Sequence, residues 1–135
     1  MPGDRLIPGT PDEWMARAKG DLALAKIQPP EGVILEDLCF HAQQAAEKAI
    51  KAVYQHFGWP FRYVHNLGEL LTRLAARGID IPDPINAAIV LTTYASHSRY
   101  PGATEPIGID ECRHAANLAE RVVVWAESVI SPPPM

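Results

Sequence analysis

Eleven consecutive residues, Thr92-Thr93-Tyr94-Ala95-Ser96-His97-Ser98-Arg99-Tyr100-Pro101-Gly102, concentrate hydroxyls, phenol rings, an imidazole and a guanidinium in a stretch too polar to build a core. Arg99 supplies a permanent cation whose planar donor fork matches a phosphate, and Tyr94 and Tyr100 offer faces for stacking and hydroxyls for hydrogen bonding. That set of groups could recognise a nucleotide. It could equally cap a bundle, with Arg99 covering the last carbonyls of a helix and the tyrosines sealing its edge.

A second group, His41, Gln43, Gln44, Glu47, Lys48 and Lys51, lies on the longest apolar stripe. Gln44, Lys48 and Lys51 fall three to four residues apart on one side of a helix, suited to a phosphate or an acidic partner helix. The plain alternative is a solvated face with a Glu47–Lys51 pair worth a few tenths of a kcal/mol. A third group, Arg62-Tyr63-Val64-His65, precedes a helix, and His65 reads either as the residue before the cap or as a general base. Metal chemistry lacks ligands: Glu111 and His114 make one Glu-x-x-His step, where a di-iron bundle needs two with further glutamates. Ser96 and His97 have no strained nucleophile turn to make a triad, and no glycine-rich phosphate loop or dinucleotide fingerprint occurs. No cofactor is implied.

The elements that must position these groups are all helical. Thr10-Pro11-Asp12-Glu13 holds a cap, a proline suited to the first turn and the glutamate of a capping box, and the apolar steps from Trp14 to Ala25 run until Pro29-Pro30. The stripe from Leu35 to Phe57 is stopped by Gly58 and Pro60, and Asn66 caps a third helix that ends at Gly78. Asp83-Pro84 predicts a fourth helix carried by Ile85, Ala88, Ile89 and Thr92 toward Tyr94, and a fifth starts around Asp110 and runs to Ile130. No segment alternates with period two, so no strand is expected. The fold class is an all-α up-and-down bundle of four to five helices, with helices two and five at its centre.

At 135 residues, 47% hydrophobic and 21% charged, the chain fits one domain, expected to span 1–135 with its core at about 11–130. Its net charge of −4 excludes chain-wide attraction to nucleic acid or anionic membrane and leaves only local contacts. No apolar run is long enough to span a membrane and the first residues lack the layout of a secretory signal, so a soluble cytoplasmic protein is expected. Cys39 and Cys112 lie on apolar stripes and read as packed thiols.

Three strings then carry a family resemblance: Cys39-Phe40-His41-Ala42-Gln43-Gln44-Ala45-Ala46-Glu47-Lys48-Ala49-Ile50-Lys51-Ala52, His65-Asn66-Leu67 through Leu70-Leu71, and Ser98-Arg99-Tyr100-Pro101. In order and spacing, from about Trp14 to Ile130, the chain resembles the HEPN domain. The resemblance implies a homodimer with a cleft between protomers and a minimal nucleotidyltransferase as partner, in many members a toxin–antitoxin pair; others bind nucleotides. Ribonuclease members carry Arg, four to six residues, then His, and no arginine of this chain has a histidine at that distance. The expected function is therefore nucleotide or partner binding, with Arg99, Tyr100, Tyr94 and Lys48 as ligand contacts. The alternatives are a metal-independent ribonuclease, using Arg99 as cation and His97, His65 or His41 as acid–base group, and a dimeric scaffold without ligand.

Overall fold

The structure, a computed structural model, describes residues 4–5, 9–62, 64–95 and 106–132. Helix α1 (Pro11–Lys26) begins as its sequence dictates: Thr10 accepts from the Glu13 amide, Glu13 reaches back to the Thr10 amide, and Pro11 occupies the first turn. Helix α2 (Leu35–Phe57) ends at Gly58, whose φ of 69° is the left-handed conformation that a side chain would strain. Asn66 caps α3 (Leu67–Ala76) by accepting from the Glu69 amide, and α5 (Ile109–Ile130) closes the bundle.

The fourth helix departs from expectation. Only α4 (Asp83–Asn86) is α-helical, and residues Ala87–Ala95 continue as a 3-10 helix. The cause is visible in the residues: Ile85, Ala88 and Leu91 are buried at a step of three, the 3-10 repeat, while β-branched Ile89, Val90, Thr92 and Thr93 disfavour the α form. Pro82, rather than Asp83, occupies the cap position, with no side-chain cap hydrogen bond. One two-residue ladder also forms, β1 (Asp4–Arg5) running antiparallel to β2 (Phe61–Arg62), which leaves the all-α class unchanged.

Helix α2 is the axis of the molecule. It packs most extensively on α1 and then on α5. Its Ala42, Ala45, Ala46, Ala49 and Ala52 are fully buried, which lets neighbouring backbones approach closely. Helices α1 and α5 are antiparallel, as Lys19–Glu127 (2.6 Å) and Lys26–Glu120 pairs show, whereas the starts of α2 and α5 lie together, Cys39 against Cys112, so these two packed helices run in the same direction. Tyr54 is fully buried; its hydroxyl donates to the Leu70 carbonyl at 2.7 Å and its ring lies 5.3 Å from that of Phe61. No described helix is long and apolar enough to cross a membrane.

Candidate functional site

The expected site residues fall in three places. His97, Arg99 and Tyr100, with Ser96, Ser98, Pro101 and Gly102, lie outside the described residues, as does Tyr63. Tyr94 is described, at the end of the 3-10 helix, where its hydroxyl donates to Glu111 Oε2 at 2.5 Å. Burial, and then that bond to a carboxylate, push the phenol above its usual range. Nearby, the Ile107 amide donates to Glu36 Oε1 at 3.1 Å. Tyr94 and Ile107 are thus bonded to the start of α5 and the start of α2 respectively.

At the same end of the bundle a cleft of about 230 Å³ opens between the end of α1 and the first turns of α5. Ile27, Pro29, Ile109 and Ala116 line it with apolar surface, and Lys26, Gln28, Arg113 and Asn117 supply polar groups. Arg113 is exposed and has no carboxylate at ion-pair distance among the described residues. Cys112 also lines the cleft and sits against Cys39; burial, with the Cys112 thiol beside it, pushes the Cys39 thiol up to about 12, so both thiols are core groups rather than nucleophiles.

Lys48 lies elsewhere. Its ammonium pairs with Asp21 Oδ2 of α1 at 2.6 Å, and the other oxygen of Asp21 meets His41 Nδ1 at 2.9 Å. Nine residues separate Lys48 from Cys39, the α2 residue that faces Tyr94. On an α-helix that is half a turn around and about 13–14 Å along the axis, so Lys48 and Tyr94 are not brought together.

The third place is a row of buried polar side chains on α2. Glu47 and Lys51 are 4% and 3% exposed, so their pair is no solvated face. Glu47 Oε2 accepts from Lys51 at 2.8 Å, and Oε1 meets both Gln43 Nε2 at 2.9 Å and His65 Nδ1 at 2.8 Å. Gln44 donates onward to Gln43 Oε1 at 2.7 Å, and Lys51 lies 5.3 Å from the centre of the Phe61 ring. Burial acts to raise the Glu47 carboxyl, but the Lys51 charge and the three donors together outweigh it and hold the group below its ordinary value. Lys48 and Lys51 therefore do not form one cationic face: each turns to its own carboxylate.

His65 stands where expected, directly before the Asn66 cap, and its side chain is 61% exposed. With Nδ1 against a buried carboxylate, Nε2 is left toward solvent, an arrangement that orients an imidazole for proton transfer. Sequence reading missed Arg113 and the Glu47–His65 contact. The signal for the first was its place beside the buried Cys112; the second carries no local signal, because eighteen residues separate the partners. Among the described residues no three His, Cys, Asp or Glu side chains converge as a metal site requires.

Comparison with known proteins agrees with this architecture. A solved structure, TT1696 from Thermus thermophilus, superposes with a TM-score of 0.73 at 29% identity, covering 88% of this chain and 97% of its own. ST0689, an archaeal HEPN homologue, superposes with a TM-score of 0.73 at 26% identity, covering 92% of this chain and 100% of its own. No curated protein matches the sequence. The family model of the HEPN domain matches residues 11–129, from the Pro11 turn of α1 to the last turn of α5, and the chain belongs to the HEPN domain family.

Proposed function

We propose that this HEPN protein binds a nucleotide, or a nucleotide of an RNA chain, at the end of the bundle where Tyr94 meets Glu111. Arg99 and Tyr100 would come from segment 96–105, Tyr94 from the end of the 3-10 helix and Arg113 from the rim of the adjoining cleft. Arg113 carries the reading. Lys19, Lys26, Lys48 and Lys51 are each held by a carboxylate, whereas this guanidinium is exposed, without an ion pair among the described residues, and on a cleft at the Tyr94 end of the bundle; Arg121, exposed as well, lines a separate cleft with Pro82, Pro84 and Trp125. At about 230 Å³ the cleft accommodates a base rather than a whole nucleotide, which puts a phosphate at the rim. Lys48 would join such a ligand only by exchanging Asp21. A homodimer and a minimal nucleotidyltransferase partner belong to the same reading and rest on the family resemblance alone.

If the proposal holds, saturating ATP or GTP raises the melting temperature, an excess of about 100 times Kd being worth about 2.7 kcal/mol. Arg99→Ala and Arg113→Ala each abolish the rise. A wild-type transition unmoved by ATP, GTP and short RNA would favour the ligand-free scaffold instead. A second reading, metal-independent RNA cleavage, has the Glu47–His65 contact in its favour. It requires that His65→Ala remove ribonuclease activity; degradation that survives both His65→Ala and His97→Ala excludes these histidines as its acid–base groups.

A further inference from the structure

The exposed imidazole of His65 is gripped by side chains that are themselves buried. Glu47 holds its Nδ1 at 2.8 Å and Gln43, fully buried, donates to its main-chain oxygen at 3.1 Å. Lys51 and Gln43 in turn fix the Glu47 carboxylate. Taking a glutamate, a lysine and a glutamine out of water carries a desolvation cost, and the residue they secure gains little packing, since its side chain stays 61% exposed. A proton on Nδ1, directed at a carboxylate, leaves the lone pair on Nε2 and fixes the orientation of the ring. A nucleophile that is oriented and open to solvent is what results.

We propose that Nε2 of His65 is a phosphoryl acceptor, modified by a small acyl phosphate or phosphoramidate donor. The lone pair of Nε2 attacks phosphorus and an N–P bond forms. With an acyl phosphate, the P–O bond to the acyl group breaks as it does so, and the carboxylate leaves with the bonding electrons; with phosphoramidate, the P–N bond of the donor breaks and its already protonated nitrogen leaves as ammonia. Positive charge left on the ring is met by Glu47 across the Nδ1–H contact. The proposal stands apart from nucleotide binding, because His65 lies on the α2–α3 side of the bundle and the cleft lies between α1 and α5.

The other described histidines serve as internal controls. His41 has a similar contact, 2.9 Å to Asp21, but it is only 31% exposed and lies against the Phe40 ring. His56 and His114 are exposed and meet no carboxylate among the described residues. The full chain treated with acetyl phosphate or phosphoramidate, digested at neutral pH and mapped by mass spectrometry, should gain a phosphoryl group on His65 roughly tenfold faster than on His56 or His114. Unfolding in urea should erase the preference, and Glu47→Gln should slow His65 to the rate of the controls. Labelling of His65 no faster than that of His56 and His114, or a preference that survives unfolding, overturns the proposal. So does an unchanged rate in a folded Glu47→Gln variant, and if that variant does not fold the wild-type comparison decides.

Discussion

Glu47→Ala costs about 3–5 kcal/mol of unfolding free energy in urea titrations at neutral pH, because it leaves the Lys51 ammonium inside the protein without its carboxylate. The pair is 4% and 3% exposed, so water cannot take over the role of the lost group. Replacing both partners, Glu47→Leu with Lys51→Met, recovers most of the loss, since two apolar groups need no compensation. The sign of the pH dependence follows from the depressed carboxyl: its contribution is complete above the ordinary value of 4.5 and is lost as pH falls through the lower folded value. Glu47→Gln therefore flattens the acid limb of the stability profile. A Glu47→Ala protein as stable as wild type would mean that the buried pair is energetically idle.

The second large effect is expected at Tyr54. Tyr54→Ala removes a fully buried ring that lies against Phe61 and costs about 3–5 kcal/mol, whereas Tyr54→Phe loses the hydrogen bond to Leu70 and costs about 1 kcal/mol. The ring joins α2 to the segment entering α3, so the alanine variant loosens the chain that also carries His65. Denaturation followed by circular dichroism separates the two substitutions; equal losses would assign the whole effect to the hydroxyl.

What the residues disclosed in advance was whatever is decided locally. The Thr10 capping box, the Asn66 cap and the Gly58 stop each depend on a few neighbouring residues, and each forms as the chain reads. The 3-10 stretch was readable only in retrospect: Ile85, Ala88 and Leu91 fit either repeat until the neighbouring β-branched residues are weighed against the α form. The face of α2 bearing Glu47 and Lys51 was misread for a different reason. On a helix packed on one side, charged residues mark the solvent side, but α2 is enclosed by α1, α5 and the chain leading into α3. Periodicity records which residues share a side and not what covers that side. The candidate ligand site was legible as a set of residue types, Arg99, Tyr100 and Tyr94, while Arg113 emerged only once α1 and α5 were seen to frame a cleft.

The winding of residues 87–95 sets where Tyr94 can stand. At a rise of about 2.0 Å per residue, nine residues of 3-10 helix extend about 18 Å, against about 13–14 Å in α form. Recoiling this stretch would draw its far end back by about 4–5 Å, more than the 2.5 Å link from the Tyr94 hydroxyl to Glu111 can follow. The tighter coil thus acts as a spacer of set length, and the distance from α4 at which Tyr94 meets Glu111 is written into its pitch.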